Sequence, residues 1–280
     1  MRPIALATQA AHRDGYFDDK LALPAFQAKG MQAEFAVWND PSVDWSRFAG
    51  VLIRSPWDYT QDAPAFLAWL ESLKVPVWNP AELVRWNLDK SYLLDLEAWD
   101  VPIPPTTRWD GTEDLDGVLA AEGWSDAVLK PMIGAGGRNT WRVTPKNAAE
   151  IALQAKAAGG AYLLQPFAPE VLTEGEWSLI YFGGRYSHAV RKRAAKGEFR
   201  VQAEWGGTVH PEVPSEELCE AADAVMESVG ESVYARIDLI ETADDGPWLI
   251  EAELIEPELF LRADKKAAGR LAAAVLEQLS

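Results

Sequence analysis

The chain has 280 residues, 48% hydrophobic and 25% charged, a globular composition long enough for a large buried core and two or three subdomains. Its 26 Lys and Arg stand against 43 Asp and Glu, a net charge of −17, which repels nucleic acid and anionic lipid and points to a small-molecule partner. The single cysteine, Cys219, excludes an intrachain disulfide and a zinc cage.

The apolar run at the N-terminus is too short for a signal peptide, and no stretch of about 18 apolar residues occurs. A soluble, cytoplasmic protein with no membrane partner is therefore expected, with a homodimer left open. Thirteen tryptophans read as core filling.

The first eighty residues alternate the apolar runs "IALAT", "AEFAVW", "GVLIR" and "VPVWN" with the helix-like stretches "DKLALPAFQAKG" and "DAPAFLAWLESL". That rhythm predicts βαβ units and a parallel sheet. Ligands bind such sheets at the carboxyl ends of the strands, which here carry Thr8, Arg54 to Tyr59, and Asn79. Arg54, Trp57, Asp58 and Tyr59 are candidate substrate contacts on this ground. Arg54 suits a bidentate pair with a carboxylate and equally a structural salt bridge.

From Pro80 to Trp99 the pattern predicts a helix, closed by "DVPIPPT", whose prolines exclude its continuation. The expected domains are 1–80, 81–165 and 166–280. Two strands around the glycine loop of "AVLKPMIGAGGRNTWRV" follow, then a helix from the N-cap Asn147 to Gly159. Next come the strand "AYLLQPF", a hairpin turning at Gly183-Gly184, and a basic segment ending "GEFRVQAEWGGT". A last helix, strand and helix complete the chain.

The stretch "PWLIEAELIEPELFL" combines core-forming residues with four glutamates. Alternation places Leu249, Glu251 and Glu253 on one side of a strand and Ile250, Ala252 and Leu254 on the other. The acidic side suits solvent, or a cleft in which two carboxylates clamp Mg²⁺. The loop with Gly134, Gly136 and Gly137 matches neither the dinucleotide fingerprint nor the P-loop. Lys130 directly before it could join the loop N–H groups in holding phosphate.

The segments "NLDKSYLL", "AVLKPMIGAGGRNTW", "LLQPF", "GEWSLIYF", "KGEFRVQAEWGGT", "YARIDLI" and "WLIEAELIEP" stand in the order of an ATP-grasp ligase, and the sequence resembles that superfamily. The resemblance implies an α/β fold with α+β subdomains: an N-terminal parallel-sheet substrate domain, a small central lid domain and a C-terminal antiparallel-sheet domain. It implies ATP and Mg²⁺, two ions, as cofactors. Lys90 and Lys130 match the nucleotide-phosphate lysines, and the loop of Gly134, Gly136, Gly137, Arg138 and Asn139 matches the lid over the triphosphate. Gln165, Pro166 and Phe167 match the hinge whose backbone meets adenine, and Glu176 the acid near ribose. Arg236 matches the arginine facing the transferred phosphoryl group, Asp238 the first Mg²⁺ ligand and Glu251 the bridging glutamate. Glu253 stands where most members have Asn.

The "GEFR" segment is similar to that of ribosomal-protein glutamate ligases and glutathione synthetases, which implies phosphate and substrate contacts at Lys192 and Arg200, with Gln202 assisting. Glu256 is a candidate substrate contact in the turn, and Glu258 is assigned to solvent. "AVWNDPSVDW", "VLIRSPWDYT", "PIPPT" and "IEAELIEPELFL" resemble the cycloserine synthetase group, which closes O-ureidoserine with ATP. The resemblance implies an enzyme: a ligase converting an amino-acid-like carboxylate into an acylphosphate captured by nitrogen, here within the same molecule. An intermolecular carboxylate-amine ligase and a non-ligating ATP-binding module remain open, the E-x-E sequence favouring the latter.

Overall fold

The computed structural model describes residues 2–279. β1 (Ile4–Thr8) is buried along its whole length, as the interior strand of a parallel sheet must be. α1 (Ala22–Ala28) leads to β2 (Ala33–Val37), and β3 (Gly50–Ser55) is followed by α2 (Ala63–Ser72) and β4 (Val77–Trp78). The sheet order is β2-β1-β3-β4 with every pairing parallel, as the sequence rhythm predicted. β1 and β3 lie side by side while their following connections diverge, so a crevice opens at their carboxyl ends. There Thr8 Oγ1 and Ser55 Oγ bond at 2.9 Å.

The helix expected from Pro80 to Trp99 is two helices, α3 (Ala81–Asn87) and α4 (Tyr92–Ala98). Between them the Lys90 N–H leaves the helical ladder to bond Met132 O at 2.8 Å, and the Asp89 carboxylate accepts from Ser91 N at 2.8 Å. The distant carbonyl and the local carboxylate replace helical acceptors at this break.

β5 (Thr107–Trp109), α5 (Leu115–Glu122), β6 (Ala127–Pro131), β7 (Trp141–Val143), α6 (Ala148–Ala158) and β8 (Tyr162–Pro166) build an antiparallel sheet of order β5-β8-β6-β7. Its core joins Trp109, Leu119, Leu129 and Ile151. Gly159 ends α6 as expected, but Asn147 makes no side-chain cap. Its Oδ1 instead accepts from Thr144 N at 2.7 Å and is thereby consumed in the preceding turn.

α7 (Glu170–Thr173), β9 (Glu176–Phe182), β10 (Arg185–Arg193), β11 (Thr208–Pro211), α8 (Glu216–Val229), β12 (Tyr234–Thr242), β13 (Gly246–Glu253) and α9 (Ala267–Glu277) complete the fold. The sheet order is β11-β10-β9-β12-β13, all antiparallel. Gly183 and Gly184, at φ +57° and +70°, make the expected hairpin turn, a conformation glycine adopts without strain. Two strands rather than one precede the final helix.

Tyr92, Leu93, Leu96, Val101 and Ile103 pack with Leu179, Ile237 and α8, so residues 92–103 join the core of the five-stranded sheet, whereas Val84 and Leu88 pack with Ile53 and Phe66. On its other face Ile180, Phe182 and Val190 meet Ile4, Phe26 and Leu271. Through α1 and α9 this contact fixes the parallel sheet against the antiparallel one.

Candidate active site

A cavity of about 870 Å³ is lined by β6, the glycine loop and β8 from one side and by β9, β10, β12 and β13 from the other. The loops after β1 and β3 close one end, bringing in Tyr16, Trp57 and Tyr59.

A β-bulge decides which side chains of the acidic strand face the cleft. Asp238 pairs with Glu251 but Leu239 pairs with Leu249, so Ile250 is the extra residue. The bulge reverses the alternation at that point. Contrary to the sequence reading, Leu249 joins the core of Ala252 and Leu254, while Ile250 turns to the cleft beside Phe167, Val201 and Ile240. These residues with Val128, Ala168 and Val171 give the cavity an apolar slot.

The cleft face of the five-stranded sheet interleaves basic and acidic side chains. Lys192 of β10 lies opposite Glu176 of β9, Ser178 opposite Asp238, Asp238 opposite Glu251 and Arg236 opposite Glu253. Lys192 contacts both Glu176 and Asp238, the latter at 3.0 Å. Arg236 bonds Asp238 through Nε at 3.0 Å and Nη2 at 2.9 Å, and also contacts Glu253. Ser178 Oγ donates to Asp238 at 2.6 Å. Lys90 contacts Glu251 and bonds Gly134 O at 3.1 Å, and Lys130 Nζ bonds Ile250 O at 3.1 Å.

Protonation follows from this pairing. Burial opposes ionisation of Asp238, but Arg236 and Lys192 outweigh it and hold the carboxyl well below its usual range. Burial likewise opposes Glu251, and Lys90 and Lys130 bring it down. Burial pushes Glu253 up to about 8, Arg236 opposing and Glu251 adding to it. It also pushes Glu256 up to about 7. Lys130 is driven down to about 8 by burial, against the pull of Glu251.

One oxygen each from Asp238, Glu251 and Glu253 lies within 4.8 Å of the others. An all-carboxylate donor set of this size fits Mg²⁺. The basic side chains now on these oxygens keep the buried charges paired.

The other sequence candidates fall into two groups. Gln165, Pro166, Phe167, Arg138, Gln202, Glu256, Trp57, Asp58 and Tyr59 line the cavity. Arg200 also lines it, but its guanidinium holds Glu198 at 2.7 Å and stacks 3.2 Å above the Trp205 ring. Trp205 Nε1 in turn bonds Gly136 O at 3.0 Å, joining the two loops. Asn139 is exposed and does not line the cavity.

Arg54 is 1% exposed and outside the cavity wall. Its Nη2 donates to Asp19 at 3.0 Å and to Pro257 O at 2.7 Å, so the salt-bridge alternative describes its position. Glu258 is not solvated: it lines the cavity and pairs with Arg262 at 2.6 Å across the turn that precedes the short helix Leu261–Ala263. Sequence reasoning missed Ser178, which its spacing of two from Glu176 could have revealed, and Tyr16, which sits on an aperiodic loop. It also missed Ala168. The Phe167 N–H is spent on Asp126 O at 3.0 Å, whereas the Ala168 N–H, in the cavity wall, has no acceptor among the described residues.

Two family models match the chain: the N-terminal domain of D-cycloserine synthetase DcsG over residues 4–79, and the ATP-grasp domain of prokaryotic glutathione synthetase over residues 100–254. With the two antiparallel sheets closing on a charged cleft, the chain belongs to the ATP-grasp ligases, enzymes that join a carboxylate to an amine at the cost of ATP. It is 35% identical to the cycloserine biosynthesis protein DcsG of Streptomyces lavendulae, over 99% of this chain and 98% of that one. The crystal structure of D-cycloserine synthetase DcsG matches with a TM-score of 0.89 and 32% identity over 99% of both chains. A RimK domain ATP-grasp protein from Sphaerobacter thermophilus matches at 0.73 with 23% identity, covering 97% of this chain and 98% of that one, a likeness of fold alone.

Proposed function

We propose that this ligase phosphorylates the carboxylate of a small amino-acid-like substrate, O-ureidoserine or a close analogue, and that a nitrogen of the same molecule captures the acylphosphate to close a ring. The observation that carries this reading is the ion-paired face of Lys192, Arg236, Asp238, Glu251 and Glu253, which holds cations and oxygen donors in one cleft. The full-length similarity to DcsG directs the choice of substrate.

The apolar slot beside Ile240 and Ile250 accepts a planar base, with the Ala168 N–H as a donor to its edge. Lys90 and Lys130 are placed to hold phosphate oxygens, and the glycine loop with Trp205 excludes water above them. Asp238, Glu251 and Glu253 would hold Mg²⁺, which when bound neutralises phosphate charge. Arg236 and Lys192 would stabilise the negative charge on the phosphoryl group as it passes to the carboxylate to form the acylphosphate. No side chain is needed as a covalent nucleophile.

The test is ADP release with Mg²⁺ and each enantiomer of O-ureidoserine, with mass spectrometry of the product. Stereospecific release with a cyclised product is expected. Release that requires a separate added amine would replace ring closure with intermolecular ligation.

A further inference from the structure

The cleft-facing carboxylates on β9, β12, β13 and the turn that follows are matched by cations with one exception. Glu176 has Lys192, Asp238 has Lys192 and Arg236, Glu251 has Lys90, Glu253 has Arg236 and Glu258 has Arg262. Glu256 is 6% exposed and lines the cavity, yet among the described residues no Lys or Arg lies at ion-pair distance. Lys90, the nearest basic influence, is already bonded to Glu251 and Gly134 O. A buried carboxylate without a counter-charge is costly unless a ligand supplies one.

The backbone around Glu256 is held with unusual completeness. Tyr234 Oη donates to Ile255 O at 2.7 Å, Trp57 Nε1 to Glu256 O at 3.0 Å, Arg54 Nη2 to Pro257 O at 2.7 Å and Arg236 Nη1 to Glu258 O at 3.3 Å. Four consecutive carbonyls are thus fixed by four side chains, and the backbone that carries the carboxylate is held in place. Such support is what a recognition group requires.

We propose that Glu256 receives the protonated amine of the substrate, so that the acid activated in this cleft is an amino acid bound through its ammonium group. The proposal rests on the carboxylate-activating reading above and names the class of acid. Tyr59 and the backbone N–H of Glu256 donate to its carboxylate, and neither brings a positive charge. A compact ammonium supplies one with up to three donors. The Tyr16 and Trp57 rings, 4.8 Å apart and edge to face, line the same cavity and add aromatic faces toward which a cation is drawn.

The experiment is calorimetric titration of the protein, loaded with Mg²⁺ and a non-hydrolysable ATP analogue, with O-ureidoserine and with its des-amino analogue 3-(ureidooxy)propanoate. Wild type should bind the amino compound roughly 10- to 100-fold more tightly. Glu256→Gln should remove that preference while leaving the affinity for the nucleotide analogue intact, which also shows that the variant is folded. Glu256→Asp, which keeps the charge, should retain part of the preference. A preference that survives in Glu256→Gln overturns the assignment. If wild type binds nucleotide but not O-ureidoserine, the substrate named under the proposed function fails. The pair alanine and propanoate then decides the present inference, and equal or absent binding of both overturns it.

Discussion

Arg54→Met should destabilise the protein strongly although Arg54 lies outside the cavity wall. Arg54 and Asp19 are 1% and 2% exposed, and Arg54 Nε and Nη2 both reach Asp19 Oδ1, at 3.1 and 3.0 Å. Removing one partner of a buried pair costs about 3–5 kcal/mol. Burial already pushes the Asp19 carboxyl upward against the pull of Arg54, so in the variant it can take up a proton, which places the loss near the lower figure. At about 2–4 °C per kcal/mol for chains somewhat shorter than this, the midpoint of thermal unfolding should fall by roughly 6 °C or more. The sign with pH follows. A carboxyl raised further in the folded state loses stability as pH rises above its unfolded value, so the deficit should be larger at pH 8 than at pH 5. The double variant Arg54→Met, Asp19→Leu should recover part of the loss, leaving about 1–3 kcal/mol for the unbonded Pro257 carbonyl. Differential scanning calorimetry at both pH values measures all of this. A midpoint unchanged within 1–2 °C in the single variant would refute the buried pair and return Arg54 to the candidates for substrate contact.

Glu251→Gln should abolish ADP release and yet tighten binding of ATP without metal, because Lys90 is released from its carboxylate partner. Fluorescence titration in chelator reads the second effect, and unchanged or weaker binding would count against the partner exchange. Ala168→Pro removes the unpaired N–H and should weaken ATP roughly tenfold or more, with the Michaelis constant for the acid unaltered. Equal nucleotide affinity in the two proteins would place the base elsewhere. Glu253 and Glu256, raised to about 8 and about 7, bind protons in the folded state that the unfolded chain has lost. Metal-free protein should therefore lose stability between about pH 5 and pH 8, and Mg²⁺ with ATP should flatten that decline. A thermal midpoint independent of pH in chelator would contradict it.

The parallel sheet was legible because buried strands read as continuous apolar runs, and "IALAT" and "GVLIR" became β1 and β3. The order of the charged segments likewise located the cleft. What escaped was set by contacts distant in sequence. The helix break at Lys90 depends on Met132 O, 42 positions away in the chain, and no local propensity announces it. The bulge at Ile250 depends on the register with β12, and one inserted residue was enough to send Leu249 to the core. Arg54 has the strand-end position of a ligand contact, but its partner Asp19 sits in a short turn that carries no periodic signal.

The glutamates of the C-terminal strand and turn divide by the partner each can find. Glu251 and Glu253 lie opposite Asp238 and Arg236, and with Lys90 they form a network in which every charge has a counterpart before any ligand enters. Under the proposed function such a site would bind by exchange: a lysine that turns to phosphate would leave a carboxylate oxygen to be filled by a cation, and nucleotide and metal affinities should rise together. Glu258 answers to Arg262 and stands outside that exchange. Glu256 has nothing to exchange, and its turn is pinned rather than free to retreat to solvent. On the proposed function, the nucleotide half of the cleft is thus balanced within the protein, whereas the substrate half carries at Glu256 a carboxyl that a bound ammonium would match.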